Sequence, residues 1–152
     1  MLLAFVGLIA LVNGLFGGVG GWFGFPELTL EMILGYLFAP LAFIIGVPWS
    51  DALVAGSFIG QKLVVNEFVA YLNFAPYLSE AAPVIISEKT KAIISFALCG
   101  FANFSSIGIQ IGGIGSLAPG QRKTLSEFGL RALAGGSIAS LLSATIAGML
   151  IG

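Results

Sequence analysis

Four polar residues stand inside apolar stretches of the chain and could carry chemistry. Asn66 and Glu67 are adjacent, whereas Asn103 and Ser106 are spaced i, i+3 and share one face wherever the chain is helical. A carboxylate can accept from two neighbouring hydroxyl groups, an amide can donate and accept, and a hydroxyl can do either. These residue types therefore predict hydrogen-bonded recognition of a neutral ligand rich in hydroxyl groups.

The composition excludes several other kinds of chemistry. The 152 residues include six Lys or Arg, seven Asp or Glu, no His and one Cys, with a net charge of −1. This set excludes zinc binding, catalysis by His, and nucleic-acid binding, which needs a basic surface. Only 9% of the residues are charged and the mean hydropathy is +1.07, whereas a soluble domain carries about 25% charged residues. We therefore predict an integral membrane protein that has the lipid bilayer as a partner, no metal site and no nucleic-acid partner.

The elements that position these residues follow from the uncharged stretches. A membrane-spanning helix needs about 20 mostly apolar residues, and continuous rather than alternating hydrophobicity favours helices over barrel strands. We predict an all-α integral membrane fold that forms one membrane domain over residues 1–152. Its predicted elements are a transmembrane scaffold helix over 2–24, an interfacial helix over 28–46, a re-entrant hairpin over 48–76, a broken transmembrane helix over 88–118 and a final transmembrane helix over 125–151.

The hairpin is predicted from the polar residues near the middle of segment 48–76. Those residues are Gln61, Lys62, Asn66 and Glu67. On a straight helix they would lie near the bilayer centre, where a charge costs roughly 2.5–3.5 kcal/mol on the insertion scale. Two arms of about 12–14 residues would instead reach about 20 Å into a hydrocarbon core about 30 Å thick. Ser50 is the expected N-cap, with Asp51 in the first turn.

The two later spans differ in their small and polar residues. Segment 92–118 contains so many Gly, Ser and Asn residues that we expect two half-helices with a break near Asn103–Ser106. Broken helices of this kind form transporter sites at mid-membrane. The final helix has small residues at four-residue spacing, a pattern that allows another helix to approach closely. These residues are Gly136, Ser140, Ala144 and Gly148.

A structural role is an alternative for each polar residue. Glu67 could pair with Lys62 at a hairpin tip, although a spacing of five residues does not favour this pair on a regular helix. Asn103 could bond another helix, and Ser106 could bond its own backbone. Asn66 and Lys62 could stabilise the hairpin instead of contacting a ligand.

Two motifs resemble those of the concentrative nucleoside transporters. The run from Gly60 to Tyr71, Gly-Gln-Lys-Leu-Val-Val-Asn-Glu-Phe-Val-Ala-Tyr, is similar to the family signature G-x-K-x-x-x-N-E-F-V-A-Y. The run from Gly100 to Gly108, Gly-Phe-Ala-Asn-Phe-Ser-Ser-Ile-Gly, resembles the second site segment of that family. The resemblance covers the C-terminal portion of the family, which is the C-terminal half of an inverted-repeat transporter fold.

The resemblance implies functional roles for residues of both motifs. It implies that Glu67, Asn103 and Ser106 contact the nucleoside ribose, and that Phe101 lines the same pocket. Asn66 is a further candidate for substrate binding. The resemblance offers no counterpart here for the first hairpin of the family or for its coupling-ion site, both of which are expected in an N-terminal half.

The resemblance also implies a function for the whole assembly. It implies a cation-coupled symporter, with sodium or proton as the coupling ion, that takes up nucleosides by alternating access and is not an enzyme. A bacterial inner membrane, a multi-pass topology and a homotrimer with a full-length or N-terminal partner half are expected. The alternative is a truncated membrane subunit or pseudogene product that retains part of the site without transporting. A small channel or export component is less favoured, because the polar residues cluster at two breaks instead of along one stripe.

Overall fold

Every regular element in the described residues is helical. The computed structural model describes residues 2–25, 27–79 and 84–152, with side chains from residue 7 onward. The helices are α1 (Leu2–Trp22), α2 (Leu30–Ile44), α3 (Trp49–Val64), α4 (Glu67–Phe74), α5 (Glu88–Leu98), α6 (Phe104–Leu117) and α7 (Arg122–Ile151). Short 3-10 turns follow α4 and precede α7, over Ala75–Leu78 and Pro119–Gln121. The predicted all-helical fold is confirmed.

The first two helices are joined through one side chain of α1. The Asn13 amide donates to the Glu31 carboxylate at 2.9 Å and accepts from the Leu30 backbone N–H at 2.7 Å. Thr29 caps α2 by accepting from the Met32 N–H. A side chain from α1 therefore helps to satisfy the N–H groups that the first turn of α2 leaves without intrahelical partners.

The segment predicted as a hairpin is two helices of unequal length. α3 has 16 residues, which is longer than the expected length of about 12–14, whereas α4 has eight and continues directly into the four-residue 3-10 turn Ala75–Leu78. The break falls late because Asn66, with an extended backbone (φ −170°), accepts from the Val69 N–H and starts a new helix. The predicted Ser50 cap is wrong, because α3 begins at Trp49 after Pro48 and has no side-chain cap.

α2 and α3 form a sharply bent and closely packed pair. They meet at an angle of 117°, and Gly46 adopts a positive φ of 103° in the turn between them. A methyl group at Gly56 would lie 2.6 Å from the Ala39 backbone nitrogen, and one at Gly60 would lie 2.7 Å from the Leu34 Cβ. Glycine at these positions lets the two backbones approach closely.

The segment predicted as a broken span contains the helices α5 and α6. α5 ends at Leu98, and α6 begins at Phe104 with Asn103 as its N-cap. The final helix starts at Arg122, three residues earlier than predicted. Its Ser140, Ala144 and Gly148 are buried, and a methyl group at Gly148 would lie 2.7 Å from the Ile93 side chain of α5. Three of the four predicted small residues are therefore buried in helix packing, whereas Gly136 is partly exposed.

The core lies between α2, α3, α4, α5 and α7 and is rich in alanine and isoleucine, with Phe58 and Phe74 as its buried aromatic residues. Phe58 packs edge-to-face on Phe74 at 5.4 Å and on Tyr77 at 5.2 Å between ring centroids. Many large apolar side chains of α1, α6 and α7 are exposed. Of the described residues, Pro119–Ile151 is the one stretch both long and apolar enough to cross a membrane, and the bent α2–α3 pair would add a second if it forms one span. Residues 80–83, between α4 and α5, lie outside the described residues.

Candidate functional site

The break between α3 and α4 meets the break between α5 and α6 at one hydrogen bond. The Asn103 amide donates to the Glu67 carboxylate at 2.5 Å, across a sequence separation of 36 residues. Glu67 is the first residue of α4 and Asn103 immediately precedes α6. The two motif segments therefore come together through the two side chains for which the sequence predicts ligand binding.

Asn103 also organises the start of α6. Its side-chain carbonyl oxygen accepts from the Ser105 hydroxyl at 2.6 Å, the Ser106 backbone N–H at 2.8 Å and the Ser106 hydroxyl at 2.9 Å. The Ser106 hydroxyl also lies 2.8 Å from the Phe101 carbonyl oxygen, its other possible acceptor. Because the side-chain oxygen of Asn103 accepts these hydrogen bonds, the NH₂ group of the same amide is held facing Glu67.

A cleft of about 270 Å³ opens beside Asn103, between the α5–α6 break, α6 and α7. Phe101 lies at the edge of the cleft and is 75% exposed, whereas Asn103 is only 2% exposed. Glu67 does not line this cleft and adjoins it through Asn103. The lining residues are Gly100, Phe101, Ala102, Asn103, Ser106, Ile107, Gln110, Gly129, Ala132, Leu133 and Gly136.

Glu67 does not pair with Lys62. The ion pairs in the described part of the chain are Lys91–Glu88 and Lys123–Glu127, and the Lys62 ammonium donates instead to the Ala97 carbonyl and the Ser140 hydroxyl. The Lys62 partners lie on α5 and α7, so Lys62 links α3 to both of these helices. Asn66 serves as the N-cap of α4 through its side-chain oxygen.

A second polar cluster lies at the other end of α3. One oxygen of the Asp51 carboxylate accepts from the Ser87 N–H at 3.0 Å, the Ser87 hydroxyl at 3.0 Å and the Thr90 hydroxyl at 2.7 Å. The other oxygen accepts from the Ser50 hydroxyl at 3.0 Å. Sequence reasoning placed Asp51 in a helix first turn but missed this contact with α5. The sequence does contain a signal for the start of α5, because Ser87 and Thr90 have the spacing of an N-cap residue and the third residue of its helix.

The arrangement suits recognition of a ligand by hydrogen bonds. Within the described residues, the second Glu67 oxygen accepts no protein hydrogen bond, and one N–H of the Asn103 amide has no acceptor. A hydroxyl could donate to the first group and another could accept from the second. No group of three metal-ligating side chains occurs in the described residues. The sequence did not predict that residues of α7 line the cleft, because small residues are typical both of a helix-packing face and of a cleft wall.

The ends of α3, α4, α5 and α6 meet at polar residues, and secondary transporters build substrate sites from the ends of discontinuous helices in the same way. The fold and the site therefore define a membrane protein of the transporter class. The chain belongs to the Na⁺-dependent nucleoside transporter family, because the family profile described as "Na+ dependent nucleoside transporter C-terminus" matches residues 1–148. This membership confirms the resemblance found in the two motifs. It is a family of membrane transporters, so the chain is not an enzyme.

Relatives from two bacteria are similar over the whole chain. An uncharacterised transporter of Haemophilus influenzae is 58% identical and the nucleoside permease NupC of Helicobacter pylori is 55% identical, each covering 100% of this chain. The chain covers 37% and 36% of those two proteins. It therefore spans about a third of the length of the curated relatives that it matches.

Solved structures of the transporter CNTnw share the fold. CNTnw in an inward-facing substrate-bound state has a TM-score of 0.93 and 60% identity, covering 97% of this chain and 35% of that chain. Two variants of CNTnw were solved in outward-facing states, and both carry an Asn-to-Ser replacement. One of them also carries a Glu-to-Ala replacement and the other a Phe-to-Ala replacement.

Proposed function

We propose that this chain supplies the ribose-binding side of a nucleoside transporter that works by alternating access. The observation that carries the proposal is the hydrogen bond from Asn103 to Glu67, which joins the two helix breaks. It leaves a carboxylate oxygen and an amide N–H free to bind vicinal hydroxyl groups, which are the groups that a ribose presents.

In this proposal, α3 and α4 form the two arms of a re-entrant hairpin, and α5 and α6 form one broken membrane-spanning helix. Backbone that is not helical at membrane depth is tolerated where protein or a water-filled cavity surrounds it. The burial of Val65 at the first break and the cleft beside Asn103 at the second support this arrangement. The N-termini of α4 and α6 come together at the site, where their backbone N–H groups favour oxygen-rich ligands.

Each candidate residue has a separate role. Glu67 accepts from ribose hydroxyl groups, Asn103 donates to one of them, and the Ser106 hydroxyl is available at the cleft. Phe101, which is 75% exposed, offers an aromatic surface to the ligand. Asn66 contributes through the α4 cap, which fixes the position of Glu67.

The variants of CNTnw support the choice of Glu67 and Phe101. The replaced Glu and Phe in those variants stand the same number of residues apart as Glu67 and Phe101 do here. The similarity covers at least 97% of this chain in both comparisons. The equal separation is therefore the one expected if the replaced Glu corresponds to Glu67 and the replaced Phe to Phe101.

Uptake is proposed to be coupled to sodium or protons, with the coupling ion held outside this chain by an N-terminal half. The family description names sodium, which favours that ion. The proposed location is a bacterial inner membrane, crossed more than once, and the proposed assembly is a homotrimer. The proposed partners of the chain are the nucleoside, the bilayer and the N-terminal half of a transporter.

The test uses a grafted transporter, defined here as the Helicobacter pylori permease carrying this chain in place of its matching segment. Glu67→Gln removes the charge and keeps the shape, and a charge-assisted hydrogen bond contributes roughly 1.5–3 kcal/mol. Uridine uptake by the variant is expected to fall at least about tenfold at matched expression. Lys123→Met, at an exposed surface position, is the control and should transport normally. Equal uptake by the Glu67→Gln variant and the parent would refute the proposed role.

A further inference from the structure

Lys62 lies at the end of α3 and is almost completely buried, with 2% of its surface exposed. Its ammonium group donates to the Ala97 carbonyl at 2.8 Å and to the Ser140 hydroxyl at 2.6 Å. These contacts join α3 to α5 and to α7. Lys62 does not line the cleft, so any effect of Lys62 on a ligand has to pass through other residues.

The Ala97 carbonyl needs such a donor. α5 ends at Leu98, so the carbonyl of Ala97 lies in the last turn, where no backbone N–H of the same helix is available. Ala97 is fully buried, and a buried acceptor without a partner is costly. The positive charge of Lys62 also lies at the negative end of the α5 dipole.

Ser140 is oriented to receive the second N–H. Its hydroxyl donates to the Ser137 carbonyl at 2.9 Å, which leaves its lone pairs for Lys62. Gly100 packs directly on this contact, since a methyl group there would lie 2.8 Å from the Ser140 Cβ and 3.4 Å from the Lys62 nitrogen. The segment that carries Phe101 and Asn103 therefore begins against the Lys62–Ser140 contact.

The same two helices are tied at their other ends. Asp51 in the first turn of α3 accepts from Ser87 and Thr90 at the start of α5, while Lys62 donates to Ala97 at the end of α5. α3 and α5 therefore run parallel, with a charged side chain fixing each end. Only the Lys62 end lies next to the two helix breaks.

We propose that Lys62 is a positioning residue for nucleoside binding, which holds the α3–α4 break against the α5–α6 break so that Glu67 meets Asn103. This proposal rests on the proposed function of the site. An apolar residue in place of Lys62 leaves the Ala97 carbonyl unpaired and allows the two breaks to separate. Glu67 and Asn103 then no longer present their free groups to the same ligand.

The experiment is a double-mutant cycle on uridine binding by the purified grafted transporter. It compares the dissociation constants of the parent, Lys62→Met, Glu67→Gln and the double variant. Lys62→Met is expected to weaken binding about tenfold or more. If Lys62 acts through Glu67, the double variant binds no more than about twofold more weakly than Glu67→Gln alone, because effects within one network are not additive. Lys123→Met is the control for loss of a lysine and should bind as the parent does.

Each result decides the proposal. Multiplicative losses in the double variant would show that Lys62 acts on the whole fold and would overturn it, as would parental binding by Lys62→Met. Unchanged uridine affinity in Glu67→Gln would refute the proposed site itself. If Lys62→Met nevertheless lost affinity, action of Lys62 through Glu67 would be excluded as well. If Lys62→Met does not yield folded protein, Ser140→Ala takes its place in the cycle, since it removes one of the two acceptors. Its expected loss is about threefold, again without a further loss in combination with Glu67→Gln.

Discussion

Asn103 serves two functions with the two ends of one amide group. Its oxygen caps α6 by accepting from the Ser106 N–H, and its nitrogen donates to Glu67. The sequence indicated Asn103 as a polar residue at a break but could not assign it to the cap, because the cap depends on the extended backbone at this position. The cap holds the amide in the orientation that the ligand site requires.

Asp51 provides a test of stability that is separate from ligand binding. Asp51→Ala would remove the hydrogen bonds that this carboxylate accepts from Ser87 and Thr90, and a hydrogen bond to a charged group contributes about 1.5–3 kcal/mol. We expect the melting temperature of the grafted transporter in detergent to fall by at least about 5 °C. Ser50→Ala removes a single hydrogen bond to the same carboxylate and should be much milder. Equal melting temperatures for the two variants would contradict the role assigned to Asp51.

At the scale of the elements, sequence patterns predicted which segments are helical better than where the helices begin and end. Uncharged stretches located the helices α1, α2, α6 and α7, and clustered polar residues located the chain interruptions before α4 and α6. The unequal arms α3 and α4 could not be predicted, since no Gly or Pro marks residues 61–68 and the break depends on the Asn66 cap. The close α2–α3 packing was also missed, because Gly56 and Gly60 have the same appearance in a sequence whether they face lipid or another backbone.

The packing face of α7 provides a test at this scale. Gly148→Leu would place a large side chain where even a methyl group lies 2.7 Å from Ile93, which is fully buried. Overpacking costs typically about 1–3 kcal/mol, so we expect a lower folded yield and an earlier melting transition. Leu142→Ala changes a side chain on the same helix that is 59% exposed and should be milder. Similar size-exclusion profiles and melting curves for both variants would argue against this packing face.

At the scale of the whole molecule, the chain provides one side of the proposed site. Two or three polar contacts at about 1–3 kcal/mol each correspond to several powers of ten in affinity, and alternating access needs a second repeat against which the first one moves. We therefore expect the purified 152-residue chain to show no uridine binding at micromolar ligand and no ion-driven uptake in proteoliposomes. Co-expression with a separately encoded N-terminal half should restore part of the activity. Robust uptake by the chain alone would contradict this expectation.

Recognition of ribose hydroxyl groups by Glu67, held in place by Asn103, can be tested by comparing dissociation constants. Uridine, 2′-deoxyuridine and 3′-deoxyuridine are titrated into the grafted transporter and into its Glu67→Gln variant. We expect the parent to bind at least one deoxynucleoside about tenfold more weakly than uridine. This ratio should be clearly smaller in Glu67→Gln, because the neutral amide oxygen makes a weaker hydrogen bond to the ribose hydroxyl than the carboxylate does. The same ratio in both proteins would contradict this expectation.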